Sequence, residues 1–230
     1  VMLQSANEMT LAIAEQTSGS VKKFVELMNL KARQLGCTNT HFNNPNGLPD
    51  EKHYTTANDM AKIARAAWFN PTFRKYCTTG YYEIPATNKF SETRYLLNHH
   101  KMMSGQAYAY DGVFGGKTGY TEAAGNTLVT FARRGNMYLV SVVMQSINGA
   151  YSDTKSLLDY GFNNFSRSAI KAKKEICFSC LPAEKYLIKD YRKCVLFYSM
   201  KTPSVALPND ADTASAVSYT HLTLPTNREV

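Results

Sequence analysis

A lysine, a hydroxyl group and three glycines lie together in the segment 115–121, which reads GGKTGYT. The Lys117 ammonium group and the Thr118 hydroxyl suit an anionic ligand, and strand glycines often mark a close approach by another backbone. Runs rich in β-branched residues place this segment on or beside a β-strand. The residues therefore predict a docking edge for an extended, anionic, peptide-like ligand. On its own, however, the tripeptide Lys-Thr-Gly is better explained as a glycine-rich turn at an ordinary edge strand than as a binding site.

The first residues of the chain carry a second motif, Ser5-Ala6-Asn7. Ser-x-Asn followed far downstream by Lys-Thr-Gly is the order of the second and third motifs of the penicillin-recognising serine enzymes. Three longer segments extend the match: FNNPNGLPD at 42–50, HYTTANDM at 53–60 and GKTGYTEAAG at 116–125. Over residues 1–165 the chain resembles the D-alanyl-D-alanine carboxypeptidases, the low-molecular-weight penicillin-binding proteins of peptidase family S11.

This resemblance implies a role for each motif residue. Catalysis would involve Ser5, Asn7 and Lys117, and substrate binding would involve Lys117, Thr118, Gly119 and Tyr120. Ser5 would relay a proton to the leaving D-Ala nitrogen, and Asn7 would hold a substrate amide. Lys117 and Thr118 would bind the terminal carboxylate, and the Tyr120 backbone N–H would complete an oxyanion hole. The implied ligands are the peptidoglycan pentapeptide and β-lactam antibiotics, and the implied location is extracytoplasmic, in the bacterial cell envelope.

The nucleophile of these enzymes is the serine of a Ser-x-x-Lys motif that precedes Ser-x-Asn in the chain. Its lysine lies one helical turn later and can accept the hydroxyl proton. Only four residues precede Ser5, so we expect this chain to be a fragment that lacks the nucleophile and is inactive alone. Ser-x-x-Lys also occurs at 20–23 and 152–155, but both positions fit helix N-caps with solvated lysines better.

One residue departs from the family pattern and bears on carboxylate specificity. Relatives usually carry an arginine shortly before the Tyr-x-Asp that opens the last helix, where it helps to bind the terminal carboxylate. Here Ala150 precedes Tyr151-Ser152-Asp153, and alanine cannot supply that charge. Two other functions stay open: a non-catalytic peptide-binding protein of the same fold, and a β-lactamase. The β-lactamase is less favoured because the segment 42–60 resembles carboxypeptidases.

The elements that position these residues follow from hydrophobic spacing and capping signals. We predict helices over Ser5 to about Thr17, from Ser20 to a stop at Gly36, over 57–68 with Thr56 as its cap, over 71–76 and over 152–165. A hairpin of strands at 126–132 and 137–144 pairs with a strand at 113–119. The fold class is α/β (α+β), a β-lactamase/transpeptidase-like domain with a helical subdomain and an antiparallel sheet.

The domain prediction places an incomplete carboxypeptidase-like catalytic domain at 1–165. The start of a β-rich C-terminal domain follows at 166–207, and 208–230 is a disordered or non-native tail. Because the resemblance places the nucleophile helix and further strands before Ser5, we also expect an exposed apolar sheet face.

Composition fits a globular protein, with 230 residues, 44% hydrophobic and 12% aromatic content, and a net charge of +8. Nine basic and three acidic residues fall between 166 and 201. Such a segment is commonly a solvated face, and it can also attract anionic cell-wall polymer or lipid headgroups, so peripheral membrane or cell-wall association is an open partner prediction. Nucleic acid is not expected, because no recognition motif accompanies the charge.

Cysteines and histidines predict no cofactor or metal site. The five cysteines are odd in number and irregularly spaced, which argues against a disulfide framework. Cys177, Cys180 and Cys194 lack a fourth zinc ligand, so they are interpreted as buried or partly exposed thiols. The histidines at 41, 53, 99 and 100 have no ligand spacing and are interpreted as structural. No apolar run is long enough to cross a bilayer.

Overall fold

The computed structural model describes residues 1–147, 149–169, 195–198 and 204–209. Within these ranges lie five helices, namely α1 (Asn7–Ser18), α2 (Val21–Gln34), α3 (Ala57–Trp68), α4 (Pro71–Cys77) and α5 (Ala150–Asn164). The same ranges contain eight strands, namely β1 (Tyr81–Ile84), β2 (Arg94–Leu97), β3 (Val113–Thr121), β4 (Gly125–Arg134), β5 (Met137–Ser146), β6 (Phe165–Ala169), β7 (Val195–Tyr198) and β8 (Ser204–Pro208).

The central sheet has the order β3-β4-β5-β7, with antiparallel pairing throughout. Alternation along β4 and β5 sends their apolar side chains to both faces. On one face, Leu128 and Leu139 pack with Leu158 of α5. On the other face, Phe131 and Val142 belong to a cluster with residues of α3 and α4. The mixed α/β fold with helices around an antiparallel sheet is therefore as predicted.

Side-chain caps begin three of the helices and explain where they start. The Ser20 hydroxyl accepts a hydrogen bond from the backbone N–H of Lys23, Thr56 accepts one from Asp59, and Asn70 accepts from two backbone N–H groups at the start of α4. Each bond satisfies a donor that the first helical turn leaves open. The predicted start of α2 and the predicted range of α3 are thus confirmed.

Two helix starts differ from the prediction. Helix α1 begins at Asn7, not at Ser5, because Ser5 has a left-handed backbone with φ of 53° and cannot join the helix. Helix α5 begins at Ala150, two residues before the predicted Ser152.

The hairpin of β1 and β2 was not predicted from the sequence. Its two strands of four residues pair antiparallel, with Tyr81 opposite Leu97. By contrast, the three strands predicted around the Lys-Thr-Gly segment are confirmed as β3, β4 and β5.

Helices cover both faces of the central sheet, which differs from the expected exposed apolar face. On the α3 side, however, an apolar cavity of about 290 Å³ stays open. It lies between α3 and the strands β3 to β5, and Met2, Met60 and Phe73 are among its lining residues. The expectation therefore holds only for this part of the sheet.

Most of the predicted β-rich segment 166–207 and of the tail 208–230 lies outside the described residues, as do Cys177, Cys180 and Cys194. In the described part of these ranges, strand β7 pairs with β5, and β8 pairs with β6. The domain boundary at 165 stays a prediction. Cys37 and Cys77 are buried free thiols. In the described ranges, no helix has both the length and the apolar character needed to cross a membrane.

Candidate active site

Ser5 and Lys117 are in direct contact, although 112 positions separate them in the chain. The Lys117 Nζ donates a hydrogen bond to Ser5 Oγ, and a second one to the Thr118 carbonyl oxygen at 2.5 Å. Burial of the lysine lowers the pKa of its ammonium group. The arrangement places a partly desolvated cation directly beside a serine hydroxyl, which is the juxtaposition that the sequence motifs predicted.

The backbone of Ser5 is held in a conformation that non-glycine residues rarely adopt. Its φ is 53°, in the left-handed region, and its N–H donates to the Val1 carbonyl at 2.8 Å. Such a conformation costs on the order of 1–3 kcal/mol and clusters at functional sites. Here it turns the chain just before α1 while the Ser5 hydroxyl meets Lys117.

Two glycines of the motif are required by close contacts in the sheet. A Cβ on Gly116 would lie 2.1 Å from the Val129 carbonyl oxygen and 2.7 Å from the ring of His100. A Cβ on Gly119 would lie 2.5 Å from Thr127 Oγ1. Strand β3 ends the strand order, so β4 is its single neighbour among the described strands. Its glycines therefore allow tight pairing on one side and leave a bare backbone edge on the other.

A cleft beside Ser5 has a volume of about 290 Å³ and a mixed polar and apolar lining. Three motif residues of β3 line it, namely Thr118, Gly119 and Tyr120. The other lining residues are Ser5, His99, Asn126, Thr127, Leu128, Ala150 and Tyr151. Asn7 is exposed at the start of α1 and is not among the lining residues. Its predicted role in substrate binding therefore stays a prediction.

Five lining residues were not anticipated from the sequence: His99, Asn126, Thr127, Leu128 and Tyr151. Asn126 and Thr127 lie opposite Tyr120 and Gly119 in the β3–β4 register, so the predicted hairpin was a usable signal for both. His99 was interpreted as structural, but it is exposed and lines the cleft. Its position follows from the unpredicted β1–β2 hairpin, whose second strand ends two residues earlier.

Ala150 lies on the cleft wall, at the position where relatives carry arginine. Tyr151 follows it, and its ring stacks on Tyr108 at 4.7 Å between centroids. No arginine is among the described residues that line the cleft. Lys117 is the cation of the predicted motif, but it is among the lining residues of the apolar cavity beside α3 and not of this cleft.

His100 lies beneath the motif strand and is fully buried. Its Nε2 is 2.8 Å from Thr130 Oγ1, and its backbone N–H donates to the Asn98 side chain at 2.9 Å. Burial lowers the pKa of the imidazole to about 4. The ring is therefore neutral near pH 7 and has a structural role, as the sequence predicted. It packs against Gly116 of β3 and Thr130 of β4.

Neither Ser-x-x-Lys sequence forms part of this cleft. The Ser20 hydroxyl caps α2 by accepting from the Lys23 backbone, as expected. Ser152 lies within the first turn of α5, and Lys155 pairs with Asp159 at 2.5 Å. In the described part of the chain, no three His, Cys, Asp or Glu side chains are grouped as a metal site.

Comparison with known proteins identifies the same family. The family model described as D-alanyl-D-alanine carboxypeptidase matches residues 1–148. D-alanyl-D-alanine carboxypeptidase DacF of Bacillus subtilis is 35% identical over 167 residues, which cover 72% of this chain and 41% of that protein. DacA of Haemophilus influenzae is 36% identical over 184 residues, covering 76% and 44%. The chain thus spans less than half the length of these two relatives.

Solved structures agree with the sequence matches. A D-alanyl-D-alanine carboxypeptidase of Mycobacterium tuberculosis has a TM-score of 0.62 at 32% identity, covering 70% of this chain and 61% of that one. DacD of Francisella tularensis has a TM-score of 0.63 at 27% identity, covering 90% and 60%. With Ser5 and Lys117 in contact and this family match over most of its length, the chain belongs to the D-alanyl-D-alanine carboxypeptidases of peptidase family S11.

Proposed function

We propose that the protein is a serine-type D-Ala-D-Ala carboxypeptidase, which removes the terminal D-Ala from stem peptides of bacterial peptidoglycan. The contact between Lys117 and Ser5 carries this proposal, beside Thr118 and Gly119 on a strand whose outer edge has no partner among the described strands. A free strand edge can bind an extended peptide by main-chain hydrogen bonds. Because peptidoglycan lies outside the cytoplasm, the proposal also places the protein in the cell envelope.

Each residue of the site would take a separate part in the reaction. Acyl transfer forms a bond between a nucleophilic serine and the penultimate D-Ala carbonyl, and it breaks the bond to the leaving D-Ala nitrogen. The lysine of Ser-x-x-Lys would accept the proton of the nucleophilic serine, the Ser5 hydroxyl would relay a proton to the leaving nitrogen, and water would then hydrolyse the acyl-enzyme. The Lys117 ammonium group would supply positive potential to Ser5 and to the substrate carboxylate. The Thr118 hydroxyl would donate to the carboxylate, and the Tyr120 backbone N–H would stabilise the oxyanion.

β-Lactam antibiotics are proposed as a second ligand class of the same cleft. They present a carboxylate and a reactive carbonyl, as the stem peptide does, so Lys117 and Thr118 would serve both. The basic segment 166–201 is proposed to favour peripheral association with anionic wall polymer or membrane lipid. Most of that segment lies outside the described residues.

The polypeptide of residues 1–230 is expected to bind these ligands without acylation. Neither Ser20 nor Ser152 lines the cleft, and removing a nucleophilic serine costs on the order of a million-fold in turnover. A longer polypeptide with Ser-x-x-Lys before Ser5 is expected to acylate and to release D-Ala.

The test combines intact-mass spectrometry with benzylpenicillin and calorimetric binding of a diacetyl-Lys-D-Ala-D-Ala peptide. We expect no acyl adduct on residues 1–230, a stoichiometric adduct on the longer polypeptide, and peptide binding that K117A weakens at least tenfold. K22A, which removes an exposed lysine of α2, is the matched control and should bind normally. An adduct mapped to Ser20 or Ser152, or equal binding by K117A and K22A, would contradict the proposal.

A further inference from the structure

The β1–β2 hairpin presents an uncovered aromatic face. In its register Tyr81 lies opposite Leu97, and Glu83 lies opposite Tyr95, so these four side chains share one side of the two-stranded sheet. Tyr81 is 47% exposed, Tyr95 is 66% exposed and Leu97 is 56% exposed. Contiguous exposed apolar side chains of this size usually mark an interaction site.

The two tyrosine rings are nearly parallel and stack on each other at a distance. Their centroids are 6.4 Å apart and their planes differ by only 14°. The Tyr81 hydroxyl donates to the Glu83 carboxylate, and this hydrogen bond is the main cause that raises the pKa of the phenol to about 12. The face therefore combines two parallel, neutral rings with one carboxylate acceptor at its edge.

This face is continuous with the candidate active site. The Gln4 side chain, next to Ser5, donates to the Leu97 carbonyl at 3.2 Å. The Asn98 N–H donates to the Gly80 carbonyl at 2.8 Å and closes the base of the hairpin. His99 follows and lines the cleft. A ligand that extends from the cleft past Gln4 would reach the rings directly.

The charge on the hairpin indicates a neutral ligand. Residues 81–97 contain two acidic residues, Glu83 and Glu92, and two basic residues, Lys89 and Arg94. The hairpin therefore has no net charge, whereas a surface for anionic lipid or nucleic acid would be enriched in cations. Parallel exposed rings also suit the flat C–H faces of pyranose sugars, because the ring face is electronegative and attracts polarised C–H groups.

We propose that the face formed by Tyr81, Glu83, Tyr95 and Leu97 binds the N-acetylated polysaccharide strand to which a stem peptide is attached. This proposal rests on the proposed function and extends the site from the peptide to its glycan. Tyr81 and Tyr95 stack on neighbouring sugar rings, and Glu83 accepts a hydrogen bond from a sugar hydroxyl. The strand is thereby held beside the cleft while its peptide enters along β3.

The experiment titrates the 230-residue polypeptide with an N-acetylglucosamine tetramer, which carries no peptide, and follows binding by calorimetry. We expect saturable binding that Y81A and Y95A each weaken about fivefold, in keeping with roughly 1 kcal/mol per aromatic contact. Y54A is the control, because Tyr54 is 55% exposed but pairs with His41 in another part of the chain. Thermal unfolding of each variant shows whether the fold is retained.

The outcomes separate this proposal from the proposed function. K117A should weaken binding of the diacetyl peptide and leave tetramer binding unchanged, whereas Y95A should do the reverse. No saturable tetramer binding, or equal weakening by Y54A and Y95A, would overturn the glycan site whatever the peptide result. Co-sedimentation with anionic lipid vesicles that Y95A abolishes, in the absence of tetramer binding, would assign the face to a membrane and would also overturn it.

Discussion

His100 is a buried residue whose neutral state supports the motif strand. Its ring fills the space that a Cβ on Gly116 would enter, and it contacts Thr130 on the neighbouring strand. Tyr151 of the cleft wall approaches the ring edge-on, with centroids 6.5 Å apart. A protonated ring would carry a buried charge between β3 and α5, so folding should become less favourable at acidic pH.

The stability of the chain should therefore fall as the pH decreases from 6.5 towards 4. In this window the unfolded chain binds a proton at His100, whereas the folded chain, with its pKa of about 4, does not. Stability rises with pH wherever the unfolded state binds more protons. The difference of about 2.5 pKa units corresponds to roughly 3 kcal/mol, which urea unfolding at several pH values can measure.

The H100Q variant isolates this contribution. Its unfolding free energy should change less between pH 6.5 and pH 4 than that of the wild type, even if the variant is less stable throughout. H99Q replaces the exposed neighbour and should retain the wild-type pH dependence. A wild-type dependence that persists in H100Q would show that His100 does not remain neutral in the folded chain.

At the scale of elements, local signals determine what the sequence can predict. The ranges of α3 and of the central strands follow from caps and alternation, so they are recovered closely. The β1–β2 hairpin was missed because nine residues separate its strands of four residues, and most of its side chains are exposed. Without burial there is no periodic pattern to detect.

The cleft residues likewise fall into two groups: some could be predicted from sequence motifs, and the others are placed by tertiary packing. The family resemblance assigned Ser5 and Lys117 to one active site, so it indicated that the two residues lie close together in space. His99 and Tyr151 could not be predicted, since their positions depend on how the unpredicted hairpin and α5 pack against β3. The left-handed backbone of Ser5 also has no sequence signal, because serine is an uncommon residue in that region.

The Asp59 side chain connects α3 to the loop before it. Its substitution should reduce stability more than that of any other acidic residue in the helical part. It is almost fully buried. Its carboxylate accepts from the Asn39 N–H at 2.8 Å, the Thr40 hydroxyl at 2.9 Å and Lys62 Nζ at 3.0 Å. Burial raises the pKa of this carboxyl, but these hydrogen bonds outweigh burial and lower it overall.

The D59N variant should lose about 3 kcal/mol of stability at neutral pH, because an amide removes the charge that pairs with Lys62 and turns an N–H₂ group toward the donors of the loop. Urea unfolding provides the measurement. D111N is the matched control: its side chain is 91% exposed beside Arg134, and it should change stability by less than about 0.5 kcal/mol. Equal losses in the two variants would show that the hydrogen bonds of Asp59 do not anchor α3.

At the scale of the whole molecule, part of the apolar surface of the described residues is not covered by the described helices. Helices α1 and α2 pack on each other, yet Met9, Leu11 and Ile13 of α1 and Leu27 and Leu30 of α2 are exposed. The apolar cavity beside α3 adds further accessible hydrophobic area. Monomeric soluble proteins rarely expose contiguous apolar patches of this kind.

The 230-residue polypeptide should therefore self-associate at micromolar concentration, chiefly through the α1–α2 surface. The double variant I13E/L30E places two charges on that surface and should shift the polypeptide towards the monomer in light-scattering chromatography. Q16E/Q34E adds the same charge at exposed polar positions of the same helices and should behave as the wild type. Since both pairs change the net charge equally, a monomeric shift in both would show that charge repulsion, and not the apolar surface, controls association. A wild-type polypeptide that stays monomeric would show that this surface is too small or too divided to drive association.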